Sequence, residues 1–338
     1  MYHGRFNGTH YEIGFKWGAL LARHGNYILE NIGFPITQER LEFSELCVPV
    51  YQEYFPEILE EIQGIADGQN CDVKTLQAFL FSMYAIPPSC NCSCFAVAND
   101  EQIMFGRNSD FLTELEKSNM NVIYRFSSPS YSFTGNTTAF VQIEDGINEH
   151  GLAIGLTSIQ PVSIKPGINA GILLRFFLEM CKSTQEVIEC IHMLPISSAQ
   201  TFTVADSSGD IAVIECCSEK VAIIHPSDQV SYVCATNVFH STPMMKYNLT
   251  DIDNWQAEPR YQTLLETLKK KAKYMDFDSA TKLLSGENGF ICQYDRKTGK
   301  DTVWSVIYDL TNMKIYRTEG NPSRRKFKED TRFYIQKY

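Results

Sequence analysis

The sequence lacks the features that would direct the protein to a nucleic acid or into a membrane. Its 338 residues contain 30 Lys and Arg against 40 Asp and Glu, a formal net charge of −10 at pH 7. A nucleic-acid-binding surface needs excess positive charge, so this balance argues against such a partner. The basic cluster Arg324-Arg325-Lys326 is followed by acidic residues and is interpreted as solvated surface. No stretch approaches the ~18 consecutive apolar residues of a membrane span, so no membrane partner is expected.

The N-terminus also lacks the apolar core of a secretory signal, since it reads Met-Tyr-His-Gly-Arg-Phe. The sequence contains 11 cysteines, which is an odd and fairly high number. Without a secretory signal we expect them to be mostly reduced and buried, in a cytoplasmic protein. The 7 histidines are scattered without ligand-like spacing, and we predict neither a metal nor another cofactor.

The apolar pattern changes near residue 90. Before that point helical spacing dominates, and Thr9 with Glu12 predicts a capping box at the first helix. After it, short β-branched and aromatic runs predict strands, so the class is α+β. The predicted helices cover 10–29, 39–53, 56–67, 73–84, 171–181, 183–193, 261–274 and 278–285. The predicted strands cover 1–8, 92–98, 103–105, 121–126, 131–133, 139–143, 151–158, 202–205, 211–215, 221–225, 230–235, 301–309 and 314–319.

A candidate nucleophile lies at the change in pattern. Pro87 and Pro88 end the preceding helix, and a predicted hairpin follows with its turn at 99–102. Cys92 opens the first strand of this hairpin, whereas Arg107 and Asp110 are predicted just past the end of the second. Antiparallel pairing would bring the three side by side. A thiol beside a guanidinium and a carboxylate is typical of an activated nucleophile, because a nearby cation favours the thiolate.

Two other interpretations of this cysteine stay open. With so many cysteines, most must be buried structural thiols, and Cys92 could be one of them. Cys90, Cys92 and Cys94 also alternate along the chain, so a strand would direct all three to one face. A soft metal could bind there, although no fourth ligand with zinc-finger spacing is present.

The same residues resemble the start of the mature catalytic chain in N-terminal-nucleophile hydrolases. The resemblance rests on Cys92-Ser93 and on Gly106-Arg107-Asn108-Ser109-Asp110, and it is closest to the acyl-CoA:6-aminopenicillanate acyltransferase-like proteins, which are related to penicillin V acylase and choloylglycine (bile salt) hydrolase. Residues 8–18 are similar to the N-terminal signature of that family. The resemblance implies a four-layer α/β/β/α sandwich with an N-terminal helical segment. It also implies self-cleavage between Asn91 and Cys92, where family members often have Gly before the cysteine, giving an α chain 1–91 and a β chain 92–338.

The resemblance also implies roles for individual residues. Cys92 would be the nucleophile, with its own freed α-amino group as general base, and Asp110 would orient that amine. Asn237, in Ala235-Thr236-Asn237, resembles the amide that forms the oxyanion hole. Arg107 and Arg260 resemble the two arginines of the hydrolase branch, although surface ion pairs would explain either one. The motif Asn148-Glu149-His150-Gly151-Leu152 resembles a family motif on a strand beside the site and is assigned mainly to structure.

The resulting expectation is a cysteine amidohydrolase or acyltransferase acting on small-molecule N-acyl amides or acyl thioesters. Two rival functions remain at this stage: an uncleaved binding or scaffold protein, and a metal or redox module built on Cys90, Cys92 and Cys94. The sequence leaves open the acyl and amine specificity, the choice between hydrolysis and acyl transfer, and whether the protein forms a homo-oligomer.

Overall fold

The computed structural model describes residues 1–86, 91–127, 129–227 and 230–336 as two β-sheets flanked by helices. The α+β class predicted from the sequence is confirmed. The helices are α1 (His10–Arg23), α2 (Gln38–Tyr54), α3 (Pro56–Gln69), α4 (Val73–Ser82), α5 (Ala170–Met180), α6 (Thr184–Met193), α7 (Ala257–Lys271) and α8 (Phe277–Leu284). The strands are β1 (Tyr2–Gly8), β2 (Asn91–Ala98), β3 (Ile103–Leu112), β4 (Met120–Phe126), β5 (Phe133–Thr137), β6 (Asp145–Asn148), β7 (Ala153–Ile159), β8 (Ala199–Ala205), β9 (Ile211–Cys216), β10 (Val221–Ile224), β11 (Tyr232–Ala235), β12 (Lys300–Asp309), β13 (Lys314–Glu319) and β14 (Lys328–Glu329).

The strands form two sheets, and the N-terminal strand β1 joins the larger one. An eight-stranded sheet has the order β1-β4-β5-β6-β7-β8-β9-β10, and a six-stranded sheet has the order β11-β2-β3-β12-β13-β14. Strand β1 joins the larger sheet by parallel pairing with β4, with Tyr2 opposite Met120. Strand β3 lies inside the smaller sheet, antiparallel to β2 on one edge and to β12 on the other.

Side-chain alternation along β2 shows how the layers stack. Phe95 and Val97 pack with apolar residues of α7 and α8, whereas Cys94 and Ala96 belong to a cluster shared by the two sheets. A third cluster covers the other face of the eight-stranded sheet with side chains of α1 to α6. The layer order is therefore helix, sheet, sheet, helix, which confirms the predicted four-layer sandwich. Within the described ranges, no helix combines the length and apolar composition needed to cross a bilayer.

Glycines of the 8–18 segment allow α1 to lie directly against α3. A Cβ atom on Gly14 would be 2.0 Å from the carbonyl oxygen of Glu61, and one on Gly64 would be 2.2 Å from that of Tyr11. Only glycine leaves room for such close backbone contact. The predicted capping box is present as well, since Thr9 Oγ1 accepts from the backbone N–H of Glu12 at 3.2 Å.

The structure corrects two predicted elements, the first helix and the strand 139–143. The first helix ends at Arg23 rather than near residue 29, because the chain turns at Gly25, where φ is +73°. Segment 139–143 forms an isolated bridge between Ala139 and Gln142 instead of a strand. Phe140 in this segment has φ +56°, which is incompatible with extended backbone.

The boundary of β3 is the correction that matters most for the site. The predicted strand ended at Phe105, with Arg107 and Asp110 beyond it, but β3 continues to Leu112 and contains both residues. Five polar or glycine residues in a row have low strand propensity, and this is why the pattern stopped early. Pairing with β2 and β12 on both edges holds the segment extended regardless of that propensity.

The 148–152 motif is a turn and not a strand. Asn148 ends β6, and its Oδ1 accepts from the backbone N–H of His150 and of Leu152, each at 3.1 Å. Gly151 follows with φ +81°, a left-handed conformation that favours glycine. The Nδ2 of Asn148 donates to the carbonyl oxygens of Leu178 and Cys181, so this side chain ties the turn to the end of α5.

Candidate active site

Cys92 is the second residue of β2 and is wholly buried. In the β2–β3 register it lies opposite Ser109, and Asn91 lies opposite Asp110. The hairpin therefore brings the cysteine beside the Arg107–Asp110 segment, as the sequence predicted. Cys92 has the same parity as Cys94, so its side chain points between the two sheets, whereas Ser93 points toward the helices.

Arg107 binds the cysteine sulfur directly. Its Nη2 donates to Cys92 Sγ at 2.7 Å, and the guanidinium is itself completely buried. Its Nε donates to the carbonyl oxygen of Leu156 at 3.1 Å. A charged donor held against sulfur stabilises the thiolate relative to the thiol. The thiolate is the form that attacks a carbonyl carbon.

The counter-ion of Arg107 is Asp145, a residue that the sequence analysis missed. Arg107 Nη1 donates to Asp145 Oδ2 at 2.7 Å, and Glu144 lies farther away, at 3.5 Å from Nη2. Burial opposes the charge on Arg107, but these anions and Cys92 hold its pKa well above the usual range. The guanidinium therefore stays protonated at every pH at which the protein is folded.

Asp145 accepts from four different side chains, so its position is tightly determined. Besides Arg107, the donors are Asn136 Nδ2 at 2.6 Å, Trp304 Nε1 at 2.8 Å and Tyr308 Oη at 2.8 Å. Asn136 belongs to β5 of the eight-stranded sheet, whereas Trp304 and Tyr308 belong to β12 of the six-stranded sheet. A buried carboxylate with this many donors is held rigidly between the layers. The sequence gives only a weak signal that Asp145 is functional, because Asp145-Gly146 in isolation is typical of a turn.

The backbone atoms of Cys92 contact the other predicted site residues. Its N–H donates to Asn237 Oδ1 at 2.9 Å, and its carbonyl oxygen accepts from Arg260 Nη1 at 2.6 Å. Arg260 Nη2 also donates to Asn237 Oδ1, at 2.9 Å. The nitrogen that cleavage would turn into an α-amine is thus held by a side-chain amide, which is in turn fixed by an arginine.

Hydrogen bonding fixes the orientation of the Asn237 amide. Its Oδ1 accepts from two donors, so its Nδ2 points the other way and donates to the carbonyl oxygen of Ser158 at 2.7 Å. The preceding residue is anchored as well, because Thr157 Oγ1 donates to the Thr236 carbonyl oxygen at 2.6 Å. Strand β7 therefore sets the position of the Thr236-Asn237 pair.

Arg260 is completely buried and is not a surface charge. It lies in the first turn of α7, where its Nε donates to the Trp255 carbonyl oxygen at 3.0 Å. Its Nη1 contacts Ser93 Oγ at 3.0 Å and lies 3.7 Å from Asp110 Oδ2. Arg260 therefore links Asp110 to both Cys92 and Asn237.

Asp110 is buried among donors that only partly compensate its charge. Thr302 Oγ1 donates to it at 2.5 Å and Tyr294 Oη at 3.2 Å. Burial raises the pKa of Asp110 to about 6, and Arg260 with the two hydroxyls keeps it from rising further. Since this folded value exceeds the ordinary 3.8, the contribution of Asp110 to the free energy of unfolding is largest at acid pH and is lost as the pH rises through about 6.

The Asp110 contacts predict a measurable change in pH dependence. Thr302→Val removes a donor to the carboxylate, so the acidic limb of the pH–rate profile should move to higher pH by about one pH unit. Thr302→Ser keeps the hydroxyl and should leave that limb near pH 6. The measurement, between about pH 4 and 8, is the rate of whichever reaction the protein is found to carry out at this site. Equal profiles for the two variants would show that Asp110 does not control the rate.

The neighbouring Cys94 has the character of a structural thiol. It is completely buried, and burial raises its pKa to about 12 despite the nearby Arg107. The predicted metal alternative used Cys90 as well, and Cys90 lies outside the described residues. Among the residues that the structure describes, no group of three His, Cys, Asp or Glu side chains could hold a metal ion.

A family model described as "Acyl-coenzyme A:6-aminopenicillanic acid acyl-transferase" matches residues 97–324, about two thirds of the chain. The matched region contains Arg107, Asp110, Asn237 and Arg260 and begins five residues after Cys92.

Solved structures with partial similarity were also found. An N-acylethanolamine-hydrolyzing acid amidase ortholog from Caenorhabditis elegans is 16% identical and has a TM-score of 0.49, with 65% of this chain and 93% of that one covered. For penicillin V acylase from Agrobacterium tumefaciens the values are 17%, 0.45, 68% and 83%. For a mutant of conjugated bile acid hydrolase from Clostridium perfringens they are 14%, 0.46, 72% and 98%.

Proposed function

Because the chain belongs to the acyl-coenzyme A:6-aminopenicillanic acid acyl-transferase family, we propose that it is a cysteine N-terminal-nucleophile enzyme. It cleaves C–N bonds of N-acylated small molecules, or transfers their acyl groups, through an acyl-enzyme on Cys92. The observation that carries this proposal is that the sulfur, nitrogen and carbonyl oxygen of one buried cysteine each have a dedicated polar partner: Arg107, Asn237 and Arg260. Any buried residue needs partners for its backbone groups, but a structural thiol needs no buried guanidinium at its sulfur.

In the proposed activation step the chain cleaves itself between Asn91 and Cys92. The Cys92 thiol attacks the carbonyl carbon of Asn91, the C–N bond breaks as the acyl group moves from nitrogen to sulfur, and the thiol proton passes to the leaving nitrogen. Water then hydrolyses the thioester, which releases the Asn91 carboxylate and leaves Cys92 with a free α-amine. Arg107 stabilises the attacking thiolate, and Asn237 holds the leaving nitrogen.

In the proposed catalytic cycle the free α-amine of Cys92 is the general base. It takes the thiol proton as the sulfur attacks the substrate carbonyl, and it returns that proton to the leaving amine or thiolate. Asn237 and Arg260 position the amine, and Asp110 balances the charge of Arg260. Water or an acceptor amine then releases the acyl group from sulfur.

We assign the oxyanion contact of this cycle to the second N–H of Asn237 Nδ2, because the first donates to the carbonyl oxygen of Ser158. Asn237→Ala should lower kcat by about 10²–10³-fold, since a preorganised amide donor acts mainly on the transition state. Asn108→Ala is the matched control, because this buried amide donates to Leu284 O at 2.9 Å and lies on the helix side of the sheet. A loss of kcat that is the same in both variants would contradict the assignment.

The N-terminal segment is proposed to stay bound after cleavage. Strand β1 pairs with β4 along its whole length, and α3 contributes Glu61 to a buried ion pair with Arg175 of α5 at 2.6 Å. His10 of α1 contacts Glu179 of α5 at 2.8 Å. Separating residues 1–91 from 92–338 would expose these charges without partners, so the two chains are expected to copurify until the protein is denatured.

Intact mass and N-terminal sequencing of freshly purified protein test the proposal directly. Two chains, the larger one beginning Cys-Ser-Cys-Phe, would support it and would justify a screen of N-acyl amides and acyl thioesters. A single chain of 38.5 kDa that also fails to release acyl groups would contradict it.

A further inference from the structure

Two thiols outside the candidate site lie in contact. Cys181 directly follows α5, Cys190 lies in α6, and their Sγ atoms are 3.7 Å apart. Both are free cysteines. A disulfide has an S–S length of about 2.05 Å, so the sulfurs need to approach by only about 1.7 Å to bond.

The two thiols differ in the way that a reactive and a resolving cysteine differ. Cys181 is completely buried, whereas Cys190 is only partly buried and can meet a solute. The Cys181 thiol donates to Cys190 Sγ, and this contact lowers the pKa of Cys190 although Glu186 and Glu189 oppose it. The partly buried sulfur of Cys190 is therefore the better nucleophile, and the buried sulfur of Cys181 is shielded from direct oxidation.

We propose that Cys181 and Cys190 form an oxidation site that takes hydroperoxides and closes to an intramolecular disulfide. The Cys190 thiolate attacks the terminal peroxide oxygen and the O–O bond breaks, which gives Cys190 sulfenic acid and releases hydroxide from hydrogen peroxide or an alkoxide from an organic hydroperoxide. The Cys181 thiol then attacks the sulfenic sulfur and forms the S–S bond, and its proton leaves with the displaced hydroxyl as water. The dithiol loses two electrons in total, and the peroxide gains them.

The surrounding structure favours closure of this bond. The carbonyl oxygen of Cys181 accepts from Asn148 Nδ2 at 2.7 Å, which holds the buried partner in place. Only Lys182 and Ser183 separate Cys181 from the start of α6, so the two cysteines are close in sequence as well as in space. The product would tie the end of α5 to α6.

Hydrogen peroxide added to the full-length protein tests the proposal. After alkylation of remaining thiols, combined digestion with trypsin and a glutamate-specific protease separates Cys181 from Cys190, and Cys190 from the Cys216-Cys217 pair. The expected result is one cross-linked peptide joining Cys181 to Cys190, with the ~2 Da mass loss of a disulfide. Cys190→Ser should abolish it, whereas Cys71→Ser, at another partly buried cysteine, should not.

A second variant keeps the test decisive if the cross-link is hard to recover. In Cys181→Ala the sulfenic acid on Cys190 has no resolving thiol and should be captured by dimedone. The proposal is overturned if peroxide leaves both cysteines of the wild-type protein alkylatable. It is also overturned if Cys190 pairs with Cys216 or Cys217, or if dimedone fails to label Cys190 in Cys181→Ala.

Discussion

Replacing Cys92 with alanine is expected to abolish self-cleavage and to lower acyl transfer or amide hydrolysis by at least about 10³-fold. In the proposed mechanism the sulfur of Cys92 is the attacking atom in both reactions. Because Cys92 has no exposed surface, the loss of Sγ leaves a small cavity, and a modest decrease in stability should accompany the loss of activity. Mass spectrometry of the purified variant gives the first readout, and a panel of N-acyl amides and acyl thioesters gives the second.

Cys94→Ala is the matched control for this experiment. Cys94 lies two residues along the same strand, on the same face and equally buried, but burial raises its pKa to about 12 and keeps it a thiol. This variant should cleave itself and turn over substrate at close to the wild-type rate. Acyl transfer that survives in Cys92→Ala but not in Cys94→Ala would move the nucleophile to Cys94.

The position of Cys92 was predictable because the relevant information is local. The two strands of its hairpin are joined by the four-residue turn 99–102, and the pairing register follows from that turn. The same reasoning ended β3 at Phe105, since local propensity alone does not show that β12 pairs with the far edge of the strand. Long-range pairing overrode the local signal there.

Asp145 shows why one residue of the candidate site was not predicted from the sequence. Its four donors are separated from it in sequence by 38, 9, 159 and 163 positions, and no spacing rule joins such positions. Asn237 and Arg260 were identified only through family motifs, because the turn asparagine and the helix-start arginine look ordinary on their own. Their contacts with Cys92 depend on how the two sheets and α7 pack.

The second large effect is expected for Asp145→Asn. This change removes the counter-ion of a fully buried arginine, which typically costs about 3–5 kcal/mol of the free energy of unfolding. In the unsubstituted protein Glu144 lies 3.5 Å from the guanidinium. Without the Asp145 charge, the guanidinium is free to turn toward Glu144 and away from Cys92 Sγ. A misplacement of about 1 Å at the reacting atoms can lower a rate by about 10²-fold, so self-cleavage should slow by that order.

Glu61→Gln separates this catalytic effect from simple loss of stability. Glu61 is the buried partner of Arg175 at 2.6 Å and also accepts from Tyr124 Oη at 3.0 Å, and neither of these described partners is among the side chains that contact Cys92. Both variants should unfold more readily in urea, but only Asp145→Asn should slow self-cleavage under native conditions, as measured by intact mass. If both variants cleave themselves equally fast under native conditions, Asp145 contributes to stability alone. If only Asp145→Asn is slow, the carboxylate acts on the cysteine through Arg107, because no other described contact connects the two.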